Sequence, residues 1–67
     1  MSVFISCIID GQSNYVVMLN SVITLSRENT YSFESTDYAL ETAALLNNVY
    51  PIQHNIKIES IMIKPTV

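Results

Sequence analysis

The chain has almost nothing with which to staple itself. One cysteine, Cys7, in 67 residues excludes an intrachain disulfide. His54 is the only histidine and there is no second cysteine, so no zinc-ligand set can be assembled. Tryptophan is absent, glycine occurs once at Gly11, and proline occurs only at Pro51 and Pro65. A glycine-rich phosphate cradle and a proline-rich linker are therefore excluded. Basic residues are scarce as well. Arg27, Lys57 and Lys64 stand against Asp10, Glu28, Glu34, Asp37, Glu41 and Glu59, for a net charge of −3. Three scattered cations cannot track a phosphate backbone, so direct nucleic-acid binding is not expected.

No stretch approaches the ~20 consecutive apolar residues that span a bilayer, and no membrane association is expected. The start, Met1-Ser2-Val3-Phe4, lacks the basic region of a signal peptide, and the run Val3 to Ile9 is too short for its apolar core. A lone thiol also suits a reducing compartment, so the expected location is cytoplasmic.

What the chain does have is apolar mass. Aliphatic, aromatic, Met and Cys residues make up 49% of it. Sixty-seven residues form one domain, 1–67, near the size at which a lone core is only marginally stable. With disulfides and metals excluded, oligomerisation is the remaining staple.

Val3 to Ile9 is β-branched and aromatic and ends at Asp10-Gly11, a strong hairpin signal because glycine accepts positive φ freely. Tyr15 to Leu19 reads as the return strand. Both segments carry bulky residues on both faces, as central or doubly covered strands do. Asn20-Ser21 breaks the pattern, and Val22 to Leu25 reads as a short edge strand or an apolar loop. Thr30 to Glu34 alternates with period two, Tyr31 and Phe33 on one side, and reads as a half-buried strand.

Ser35-Thr36-Asp37 opens a helix over Thr36 to Asn48, with a hydroxyl cap and carboxylates near the positive end of its dipole. Ala39, Ala43, Leu46 and Tyr50, with Leu40 beside them, are expected to face the sheet. Tyr38, Thr42, Leu45 and Val49 form a flanking stripe. Pro51 is expected to end the helix, with Ile52 to Asn55 as a connector. The last strand, Ile56 to Lys64, changes phase between Ile58 and Ile61. A bulge near Glu59-Ser60 would reconcile the two halves, and Pro65 is expected to end the strand. The expected fold is α+β: a small, mainly antiparallel sheet of four to five strands with one helix packed on one face, in the order β-β-(β)-β-α-β.

One helix can roof only one face of a sheet. Phe4, Ile8, Val16 and Met18 are expected to line the other, as an oligomer or partner face. His54 can be drawn beside Asp10, Glu59 or Ser60 as an acid–base pair, but no nucleophile motif accompanies it. Cys7 sits among apolar neighbours rather than in the electropositive setting of a reactive thiol. Glu34, Asp37 and Glu41 lack the loop and oxygen count of a calcium site. They complement the helix start, and with Tyr38 they form a candidate acidic docking patch for a basic partner. No catalytic, metal or cofactor residue is assigned, and the chain is not expected to be an enzyme.

The segment Thr30 to Tyr50, TYSFESTDYALETAALLNNVY, is similar in style to accessory proteins of bacteriophages and mobile elements, without a diagnostic motif. That resemblance implies a context only. Small size, missing chemistry, acidity and the surplus apolar face lead to the expectation of a non-catalytic protein-binding module, in that context an inhibitor or anti-defence factor that occludes a protein surface in a host cytoplasm. The other expectation is a homo-oligomeric structural or assembly protein, whose surplus face is its own dimer interface.

Overall fold

A computed structural model describes residues 2–66. Three strands come first: β1 (Ser2–Ile9), β2 (Gln12–Leu19) and β3 (Val22–Ser26). The helix α1 (Thr36–Asn48), a one-turn helix α2 (Tyr50–His54) and β4 (Ile58–Thr66) follow. The sheet has four strands in the order β3-β2-β1-β4, with every neighbour antiparallel. The α+β architecture read from the sequence is the one observed.

Two tight turns set the registers. Asp10 and Gly11 both have positive φ, 50° and 78°, as a two-residue turn matching the strand twist requires. This turn pairs Ile9 with Gln12 and Ser6 with Tyr15. Asn20 and Ser21 repeat the device, with φ of 51° and 65°, and pair Leu19 with Val22. The apparent break at Asn20-Ser21 is thus a second hairpin, and Val22–Ser26 is an edge strand.

The bulge expected near Glu59-Ser60 is present. Ile8 pairs with Ser60 but Ile9 pairs with Ile58, so Glu59 is the extra residue. It returns Ile58, Ile61 and Ile63 to one side of the sheet. The Glu59 carboxylate then accepts the Gly11 N–H at 3.1 Å, tying the bulge to the first turn.

Four sequence expectations are corrected. Thr30 to Glu34 is not a strand. Only Phe33 pairs, exchanging two backbone bonds with Val3 (2.9 and 2.7 Å) in an isolated bridge. The period-two pattern still tells which side chains go inward, because Phe33 is fully buried and Ser32 and Glu34 are exposed. Pro65 does not end β4, which runs to Thr66. Val3 already spends its N–H and C=O on Phe33, so the Val3–Pro65 pair exchanges no ladder bonds and the missing N–H faces the open edge. Pro51 does not lead into an irregular connector; it occupies the first turn of α2, where its lost donor is unneeded. Leu40 is not packed on the sheet but 53% exposed.

The core forms where α1 meets the sheet. Val3, Ile5 and Cys7 of β1, Val16 of β2, Phe33, and Ala39, Ala43 and Leu46 of α1 are buried together. The alanines let the helix approach closely. Ser35 caps α1, its Oγ accepting the Tyr38 N–H at 3.1 Å, and Asp37 lies in the first turn. Thr42, buried on the same face, satisfies its hydroxyl by donating to the Tyr38 carbonyl at 2.9 Å.

Ser21 is a side-chain-bearing residue held in the left-handed region, and Ser21→Gly removes that strain. The variant is expected to be stabilised by about 0.5–1 kcal/mol in urea unfolding, despite glycine's greater freedom in the unfolded chain. An unchanged or lowered midpoint contradicts this reading of the turn.

Burial pushes the Cys7 thiol pKa upward, because the thiolate is penalised inside the core. The folded chain therefore keeps a proton that the unfolded chain releases. That contribution is complete below the unfolded thiol's pKa and fades as pH climbs through it. Unfolding free energy is expected to fall more steeply in wild type than in Cys7→Ala between about pH 8 and about pH 10. Equal slopes would show that the thiol is not held protonated by the fold.

Candidate protein interface

Alternation and register decide which side chains share a face. On the helix side lie Val3, Ile5 and Cys7, joined by Val16 and Met18 of β2 and by Ile23 and Leu25 of β3. Val16 and Met18 are therefore not on the far side, where the sequence reading placed them. The two-residue turn puts even-numbered positions of β2 beside odd-numbered positions of β1. Val16 is fully buried under the helix layer, and Met18 packs against the same cluster. Phe4 and Ile8 do lie on the far face. Their companions are Ser6, Tyr15, Val17, Thr24 and Met62, with Leu19 and Val22 at the hairpin end.

Among the described residues, no element packs over that far face. Phe4 and Tyr15 meet edge to face, with centroids 6.0 Å apart. Thr24 ties β3 to β2 by donating its hydroxyl to the Val17 carbonyl at 3.2 Å. Phe4, Ile8, Tyr15 and Val17 are partly exposed, and Met62, Val22 and Leu19 are about half exposed or more. Lys64 is the one charged strand residue on this side among the described residues.

The helix side is open too, because α1 packs chiefly on β1 and β4. The β2–β3 half of that face is only partly roofed. Between the start of β3 and the ends of α1 and α2 opens a groove of about 340 Å³, lined by Ile23, Leu45, Val49, Tyr50, Gln53 and His54 and reached at the hairpin end by Ser21 and Val22, the latter at the border of both faces. Leu45 and Val49 belong to the flanking stripe of α1, and Leu45 is 51% exposed. Tyr50 and His54, one turn apart on α2, stack at 3.8 Å on the groove wall.

Tyr38 lies seven residues before Leu45, on the same flank of α1. Its ring rests edge-on against buried Phe33 at 5.4 Å, while the residue stays 44% exposed. Asp37 and Glu41 are four apart on α1, and Glu34 precedes its cap; all three are exposed. The candidate patch of Glu34, Asp37, Tyr38 and Glu41 thus surrounds the start of α1, while the apolar groove lies at the other end of the helix, beginning at Leu45, about two turns further along. Sequence reading missed the groove, although Leu45 and Val49, which line it, stand at helical spacing.

The geometry separates the groups drawn as an acid–base pair. His54 lines the groove, whereas Asp10 and Glu59 line a separate cleft with Ile9, Ile56 and Lys57. Cys7 is buried within the core. Among the described residues, no three His, Cys, Asp or Glu side chains converge as a metal site, and no helix is long and apolar enough to cross a membrane. No family model matches the chain, and no curated protein or solved structure is significantly similar to it.

Adjacent leucines serve opposite ends here. Leu46, fully buried, should cost about 2–5 kcal/mol of stability when changed to Ala. Leu45→Ala, on the groove wall, should change stability by less than ~0.5 kcal/mol. Chemical denaturation of the two variants checks this, and comparable losses would mean that Leu45 is a core residue.

Proposed function

We propose that the chain is a small non-catalytic protein-binding module that acts by occluding a surface of another protein. The observation carrying this reading is the off-centre helix. It leaves an apolar groove at the end of α1, and an anchored, half-exposed tyrosine with three exposed carboxylates stands at the start of the same helix. Aromatic anchors in an apolar patch with a charged rim are what protein interfaces use. The complementary partner is a protein element with apolar side chains along its length and basic residues at one end. The carboxylates would speed encounter and set the register, and the groove would supply most of the affinity.

Occlusion of this kind is how an inhibitor works, and an inhibitor or anti-defence factor of phage or mobile-element type is the finer form of the proposal. It draws support from the small size, the acidity and the style of the Thr30–Tyr50 segment. A homo-oligomeric assembly protein is the second reading, favoured by the bare far face of the sheet.

Affinity capture from a lysate of the encoding organism's host tests the first reading. The wild-type chain is expected to retain a discrete protein. Reversing Glu34, Asp37 and Glu41 together to Lys should weaken that complex at least about tenfold, while the circular dichroism spectrum is unchanged. A wild-type chain that retains nothing, or a triple variant that binds equally well, contradicts the proposal.

A further inference from the structure

The far face of the sheet poses a separate question, because nothing on it resembles the acidic helix side. We propose that it is a homodimer interface, with two copies stacked sheet to sheet about a two-fold axis and the α1 helices facing outward.

Charge argues for a second copy as the occupant. The chain carries six carboxylates, yet none belongs to a strand position of this face. Asp10 is in the first turn, Glu59 is turned into the bulge, and the others lie between β3 and β4 outside the sheet. A chain of net charge −3 thus presents to its copy the one broad surface on which two acidic molecules do not repel. Lys64 sits on the edge strand, where its head can stay in water.

Area argues the same way. Four strands about 4.8 Å apart and five to nine residues long make a plate of roughly 480 Å². Two such plates bury about 1,000 Å² before side-chain relief is counted, the lower bound for a specific interface. Phe4, Ile8, Tyr15, Val17 and Met62 supply the apolar contacts, and Ser6 and Thr24 between them let two surfaces interdigitate. Sheets stack in this way at about 10 Å.

The open edges are less suited to self-pairing. On β4 the edge is guarded by Pro65, Lys64 and the bulge. On β3 it offers only five residues and would leave the apolar plate bare. Stacking instead covers the plate and places two copies of the helix-start patch and groove on opposite outer surfaces. The inference does not rest on the partner-binding reading, and reversing Glu34, Asp37 and Glu41 leaves the plate untouched.

Sedimentation equilibrium of the full chain tests it. The expected result is a reversible monomer–dimer equilibrium, 7.5 kDa going to twice that mass, with micromolar dissociation. Val17→Lys and, separately, Ser6→Lys should weaken it at least about a hundredfold, since the two-fold axis buries each added charge twice without a partner. The circular dichroism spectrum of both variants should match wild type, because each lysine can reach water in a single chain. A wild-type chain monomeric at hundreds of micromolar overturns the proposal. So does a dimer that survives both substitutions, which would place the contact at the β3 edge or the groove.

Discussion

The packing of the alanine face of α1 against β1 and β4 is the contact on which the rest depends. Ala39, Ala43 and Leu46 descend onto Ile5 and its neighbours, and Phe33 is clamped beside them by its bridge to Val3. A thirteen-residue helix is about 20 Å long and 10 Å wide, so it shades two strands and not four. Every open apolar surface follows from that mismatch. The groove is the part of the helix-side face that α1 does not reach, and the far face is the side it cannot reach at all.

The small fixtures serve this contact. The bulge at Glu59 keeps the isoleucines of β4 pointing at the helix across a change of phase, and the Glu59 carboxylate locks the first turn. Pro65 and Lys64 blunt the β4 edge. Ser35 caps α1, the buried Thr42 hydroxyl donates to the Tyr38 carbonyl, and no buried side-chain polar atom is unsatisfied among the described residues. The buried side-chain polar atoms are therefore served while much of the exterior remains apolar, and the proposed association rests on that contrast.

Much of this was legible in the residues. The Asp10-Gly11 turn, the helix from Thr36 to Asn48, its cap and its flanking stripe, and the bulge all left local marks. The face of Val16 and Met18 was legible as well. A two-residue turn after Ile9 pairs it with Gln12, which puts Val16 under the helix and Tyr15 and Val17 on the far side. Reading the two strands separately, by parity alone, concealed it. The fate of Thr30–Glu34 was not legible. Its alternation matches a strand, but β4 pairs along the whole of β1 and β2 takes Ser6 to Ile9 of the other edge, so only the first half of that edge is open and Phe33 alone bridges to it, at Val3. The Asn20-Ser21 turn was hidden because it lacks the usual glycine. The groove left no local signal, since it arises from where α1 lands across the sheet.

The central claim is that one helix buries half of one sheet face and leaves the rest of the apolar surface to be covered from outside. Methyl NMR with a soluble nitroxide, recorded on the Ser6→Lys variant so that the far face is not covered by a second copy, tests it residue by residue. The methyls of Ile5, Val16 and Leu46 should stay sharp, while those of Ile8, Val17 and Leu45 broaden. If the second group were as shielded as the first in a single chain, the protein would be roofing itself and the need for a companion would vanish.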